Sequence, residues 1–133
     1  MTIENSTPNT KNDAAESNKK IPKKVKSISE IFYDHSQKTR ARNYLAKFGS
    51  HGSFLLSYDA INNCYILEVQ DQSSARFLYR VRDAKNRRFF MDPRFTFPTI
   101  EKLIEFHQTP NDSKIMVLGD PISRTEVEKY ALI

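Results

Sequence analysis

The sequence has 133 residues, of which 38% are hydrophobic and 11% aromatic, with a formal net charge of +5 and a pI near 9.4. That length holds one domain of about 100 residues plus a tail, and the charge favours acidic partners such as phosphopeptides, nucleic acid or anionic lipid. No apolar run approaches the roughly 20 residues of a membrane-spanning helix, and the single cysteine, Cys64, excludes an intramolecular disulfide and suits a reducing compartment.

Residues 1–27 carry almost no large apolar side chains and cannot offset their ordering entropy by burial, which predicts a disordered tail. The tail ends in a basic cluster, Lys19, Lys20, Lys23, Lys24 and Lys26 around Pro22. Such a cluster reads as a solvated linker, with weak contact to an anionic surface or nuclear import as its functional alternatives. No signal-peptide apolar region, myristoylation glycine or prenylation box is present, so the expected location is the cytoplasm, with the nucleus second.

Ile28, Ile31, Phe32 and Tyr33 bring the chain onto a core, and Ser36 is the expected N-cap of a helix. Ala41, Tyr44, Leu45 and Phe48 follow at helical spacing, Gly49 stops the run, and Lys38, Arg40, Arg42 and Lys47 form the polar face. Residues 53–58 then read as a strand buried on both faces, because their middle is continuously apolar. Residues 64–70 alternate, with Tyr65, Leu67 and Val69 on one face and Ile66 and Glu68 on the other. Residues 75–82 alternate too: Phe77, Tyr79 and Val81 oppose Arg76, Leu78, Arg80 and Arg82. A short strand over 87–91 ends at Asp92-Pro93. Thr96-Phe97-Pro98 opens a second helix with Ile100, Leu103, Ile104 and His107 as its inward stripe, and Ile115 to Leu118 form a last apolar segment. The expected fold is α+β: a central antiparallel sheet of about three strands flanked by two helices, one on each face. The domain spans 28–124, between the tail of 1–27 and a charged C-terminal tail of 125–133.

The stretch Gly52-Ser53-Phe54-Leu55-Leu56-Ser57-Tyr58-Asp59 resembles the central strand of the Src-homology-2 domain, with its Gly-Thr-Phe-Leu-Val-Arg-Glu-Ser motif. Tyr-Ile-Leu-Glu-Val, Phe-Leu-Tyr-Arg-Val-Arg and Phe-Pro-Thr-Ile-Glu-Lys-Leu-Ile-Glu-Phe-His follow in the family's order, so the resemblance covers roughly 31–124. It implies a non-enzymatic peptide-recognition module of tyrosine-kinase signalling, an adaptor or regulator that needs no cofactor or metal.

A phosphotyrosine pocket holds a dianion at the end of a rigid ring, usually with a bidentate guanidinium from its floor. In this sequence the position of that arginine is Ser57, whose hydroxyl carries no charge; the loss should cost at least ~2–4 kcal/mol of phosphate binding. Asp59 stands where the family motif ends in serine and would repel a phosphate, and Leu78 stands where the family often has histidine. Lys38 falls near the family's first-helix arginine and Arg80 at a basic position of the third strand, so a phosphate is held from the side or not at all. Tyr79 matches the tyrosine that separates the phosphotyrosine pocket from the pocket for following residues. Three outcomes stay open: weakened binding through Lys38 and Arg80, phosphate-independent peptide binding, or a fold kept for another interface. Ser57→Arg is expected to raise phosphopeptide affinity.

Other chemistries have less to stand on. Cys64 with His35, His51 or His107 makes a conceivable thiol–imidazole pair, but a cysteine opening an apolar strand reads as structural, and no metal-ligand spacing occurs. RNA or single-stranded nucleic-acid binding is the alternative reading, since 76–82 and 87–90 interleave arginines with aromatics. Against it, Phe77 and Tyr79 lie on the opposite strand face from Arg76, Arg80 and Arg82. Tyr130 is a candidate kinase substrate, and Tyr130-Ala131-Leu132-Ile133 a candidate C-terminal peptide signal.

Overall fold

The computed structural model describes residues 21–73 and 75–131; Lys19, Lys20 and the last two positions of the C-terminal peptide signal lie outside them. Among the described residues the fold is α+β, a four-stranded antiparallel sheet in the order β1-β2-β3-β4 with helices on both faces. The strands are β1 (Phe54–Asp59), β2 (Cys64–Gln70), β3 (Arg76–Ala84) and β4 (Arg88–Phe90). Three α-helices are described: α1 (Lys38–Phe48), α2 (Ile100–His107) and α3 (Arg124–Ala131). The fourth strand is short because it pairs with β3 only at Arg82 to Ala84.

β1 is covered on both faces, as its apolar run requires. Phe54 and Leu56 pack with Leu67, Val69 and Val81 of the sheet and with Ile100, Leu103 and Ile104 of α2. Leu55 points the other way, into Tyr33, Ala41 and Leu45 of α1 and Ile122 and Val127. Each fully buried leucine or phenylalanine contributes about 1.5–3 kcal/mol relative to exposure. The edge of β1 away from β2 is sealed as well. Tyr33 N donates to Leu56 O at 2.9 Å and Leu56 N to Ile31 O at 3.0 Å, while Phe54 N donates to Asp120 O at 3.3 Å and Ile122 N to Phe54 O at 2.8 Å.

Gly52 precedes β1 with a φ of +88°, and a Cβ built on it would lie 2.7 Å from the amide nitrogen of Gly119. Both the left-handed backbone and the close approach demand glycine. Gly119 N donates to Gly52 O at 2.8 Å, so this approach ties the segment after α2 to the start of β1.

The element ends depart from expectation in four places. α1 begins at Lys38 with Gln37 at its N-cap rather than Ser36, because the Asp34 carboxylate accepts from the Ser36 and Gln37 amides and from the Ser36 hydroxyl. α2 begins after Thr99, whose hydroxyl caps Lys102 N; Phe97 cannot be helical because its backbone exchanges two hydrogen bonds with Phe89. The reading of 1–27 as a free tail fails near its end: Val25 is buried, Lys23 N donates to the Asp120 carboxylate, and Gln108 Nε2 donates to Lys23 O. The reading of 125–133 as a tail is overturned by α3, which buries Val127 and stacks the Tyr130 ring edge-on against Tyr44 and Phe48. Cys64, expected inside, is half-buried, since it sits beside the turn that joins β1 to β2.

Candidate functional site

The two faces of the sheet differ in chemistry. The α2 face is apolar, whereas the α1 face carries Ser57, Glu68 and Gln70, all buried. The register explains their meeting. Glu68 lies directly opposite Leu55 on β1 and Leu78 on β3, which makes Ser57 and Arg76 its diagonal neighbours. α1 covers β1 and β2 but stops short of β3, leaving a cleft of about 620 Å³ lined by Lys38, Ser57, Asp59, Leu78 and Arg80 together with Arg42, Glu68 and Ile66.

Five of the six residues singled out in the sequence therefore share this cleft. Ser57 is at the floor and is almost fully buried. Lys38, the first residue of α1, and Arg80 contribute cations to the cleft; neither side chain makes a hydrogen bond or ion pair among the described residues, and the Arg80 charge helps to hold down the Asp59 carboxyl. Leu78 supplies an apolar wall and is 55% exposed. Tyr79 is elsewhere, on the α2 face, where it packs against the core and its hydroxyl accepts from Met116 N at 3.3 Å.

Asp59 is less free to repel a ligand than its charge suggests. Its carboxylate accepts from the Asn62 side chain at 2.6 Å and from the amides of Ile61 and Asn62, closing the β1–β2 turn. Those bonds, the Asn62 side chain foremost, hold its carboxyl below the usual range.

The main constituent missed from sequence is Glu68. It is fully buried, and Arg42 grips it through two parallel bonds, Nε to Oε1 at 2.7 Å and Nη2 to Oε2 at 2.8 Å. Ser57 Oγ donates to Oε2 at 2.8 Å, and Arg76 Nε approaches Oε1 at 3.3 Å. Burial alone would push the Glu68 carboxyl upward, but the bonds from Arg42 and Ser57 and the charges of Arg42 and Arg76 outweigh it, and the group lies below its ordinary value. Glu68 is thus ionised at neutral pH. The floor of the cleft is an internal ion pair, and the guanidinium nearest to it is already engaged.

Among the described residues no three His, Cys, Asp or Glu side chains converge on a common point, and no helix is long and apolar enough to cross a membrane. His107 is buried, with neither ring nitrogen hydrogen-bonded, between Phe97 and Phe106. The arginines of β3 and the aromatics Phe77 and Tyr79 lie on opposite faces of the strand, and Arg76 is paired with Glu68. No protein-family model matches the sequence.

Proposed function

We propose that this domain is a non-enzymatic peptide-recognition module, related in design to Src-homology-2 domains, whose cleft between α1 and β3 receives one side chain of an extended peptide and grips a phosphate only weakly. The carrying observation is the arrangement of charge in the cleft. Lys38 and Arg80 line it without a hydrogen bond or ion pair among the described residues, while the floor presents Ser57 and a carboxylate that has captured Arg42. The fold, the four ordered sequence motifs and the placement of Lys38, Ser57, Leu78 and Arg80 around one cleft support the reading. A bidentate guanidinium on a dianion is the strong interaction that such pockets use, and its absence leaves exposed ammonium and guanidinium contacts that are individually weak.

The test is a panel of tyrosine-containing peptides, each with and without phosphate, captured on the full-length chain and on a Lys38→Ala/Arg80→Ala variant. Binders whose affinity falls severalfold in the variant are the expected result. A panel with no binder, or binders indifferent to both substitutions and to Leu78→Glu, would overturn the reading.

A further inference from the structure

β3 has an open edge. β4 pairs with it only at Arg82 to Ala84, and Asp92 turns the chain away after β4: its C=O accepts from Phe95 N at 2.9 Å and its carboxylate from Arg94 N at 3.0 Å. Among the described residues, only β2 pairs with β3 between Arg76 and Val81.

The phase of the ladder decides what that edge presents. Gln70 turns its N–H and C=O towards β1, where they meet Ser53 O at 2.9 Å and Gly52 N at 2.7 Å. Leu56 turns its own away from β2, to Ile31 O and Tyr33 N. In the observed register both facts aim the backbone groups of Tyr65, Leu67 and Val69 at β3, where Val81, Tyr79 and Phe77 stand opposite them. The N–H and C=O groups of Arg76, Leu78 and Arg80 therefore point outward, and among the described residues they bond neither backbone nor side chain. The side chains of these three residues lie on the α1 face, where Leu78 and Arg80 line the cleft, while Phe77 and Tyr79 lie on the α2 face.

We infer that the free edge of β3 docks an extended acidic segment of another protein, which joins the sheet as an antiparallel strand with acidic side chains on the α1 face and apolar ones on the α2 face. The inference rests on the peptide-recognition reading above and names the conformation and chemistry of the peptide. Strand addition satisfies the outward backbone groups, and the side chains beside them set the preference. A residue opposite Leu78 or Arg80 shares their face, so an acidic side chain there comes among Arg76, Arg80 and Lys38. The alternate residues fall beside Phe77, which is 43% exposed, and Tyr79. A second copy of this chain fits badly. Two β3 edges paired antiparallel about Leu78 would set Arg76 opposite Arg80 on both sides of the centre, and like charges directly opposite are unfavourable. The arginines that keep two copies apart are the ones that suit an acidic strand.

The probe is a short blocked peptide of alternating glutamate and valine, titrated into the ¹⁵N-labelled full-length chain and followed by NMR and amide exchange. The amides of Arg76, Leu78 and Arg80 should shift and gain protection, while those of Phe77 and Tyr79, already bonded to β2, should change less. A peptide with lysine in place of glutamate should bind at least tenfold more weakly, and Arg80→Gln should weaken the glutamate peptide severalfold. In an antiparallel pair the glutamate amides face β3 and the valine amides face solvent. N-methylation of the glutamates should therefore abolish binding, and N-methylation of the valines should leave it. Binding that survives methylated glutamates, equal binding of the lysine peptide, or edge amides protected only as the chain dimerises would each overturn the inference. The tyrosine-peptide panel separates the two readings. Panel binders that need Lys38 and Arg80 yet leave the edge amides unprotected would keep the recognition cleft and overturn strand addition; protected edge amides with an empty panel would do the reverse.

Discussion

Arg42 on α1 and Glu68 on β2 meet through two parallel hydrogen bonds, 2.7 and 2.8 Å long, across the face of the sheet that the helix covers. The pair fixes the helix over the strands and sets the electrostatics of the cleft beside it. The Arg42 side chain is 32% exposed, whereas Glu68 has no exposure, so the two partners are unequal. Removing the arginine leaves a buried carboxylate with only Ser57 and the more distant Arg76.

Arg42→Met should therefore lower stability by about 2–4 kcal/mol, somewhat less than for a wholly buried pair because Arg76 and solvent compensate in part. The double variant Arg42→Met/Glu68→Leu should recover most of the loss, since replacing both ions with apolar groups removes the unpaired charge. Urea unfolding of the four proteins of the cycle measures this. A single-variant loss below about 0.5 kcal/mol would show that the carboxylate does not depend on the helix.

Acid should destabilise the domain in two stages. Burial lowers the His107 pKa from 6.5 to about 4, with the Asp92 charge opposing. Between those values the unfolded chain takes a proton that the folded one refuses. Stability is therefore full above pH 6.5 and falls as the pH drops towards 4, by up to about 3 kcal/mol. Glu68, whose pKa is lowered by folding, contributes stability above its unfolded value of about 4.5 and loses it at still lower pH. Chemical unfolding from pH 7 to pH 3 should show both stages, and His107→Leu should flatten the first. A wild-type curve level from pH 6.5 to 4 would mean that His107 finds a partner when charged.

Gly52→Ala combines a left-handed backbone with a Cβ set against the backbone of Gly119. The expected cost is about 2–3 kcal/mol. Thermal unfolding gives the value, and a change under about 0.5 kcal/mol would show that the two segments separate without penalty.

Among its described side chains, α3 packs on the domain through Val127 and the Tyr130 ring. Val127→Ala should cost about 1–3 kcal/mol, and Val127→Asp should detach the helix from α1. Circular dichroism and amide exchange at Ala41 and Leu45 read the two outcomes; protection at those sites unchanged in Val127→Asp would show that α3 adds nothing to the core.

Most of the sheet was legible because its signals are local. The glycine-opened apolar run at 54–56 marks a strand covered on both faces, the alternation of 64–70 follows a period of two, and the stripe of Ile100, Leu103, Ile104 and His107 on the helix above them follows one of 3.6. Glu68 was not legible. On an alternating strand a glutamate in the outward phase reads as facing water, and its burial arises from a helix residue 26 positions earlier. Arg42 was assigned to the polar face of α1 for the same reason: long basic side chains on an amphipathic helix usually reach solvent. α3 escaped because half of the residues in Arg124–Ala131 are charged and, among its described side chains, Val127 is the one that is buried, too few to make a period.

The sealed edge of β1 has a kinetic consequence. Its closing bonds come from Ile31 and Tyr33 on one side of the sequence and from Asp120 and Ile122 on the other, and the Tyr33 hydroxyl joins the two groups by donating to Ile122 O across 89 positions. Contacts that distant carry a large loop-closure entropy, so they form after the local β1–β2–β3 meander. The outer side of β1 is completed last, by segments that have least to gain until everything else is in place, and that couples the far parts of the chain into one cooperative transition.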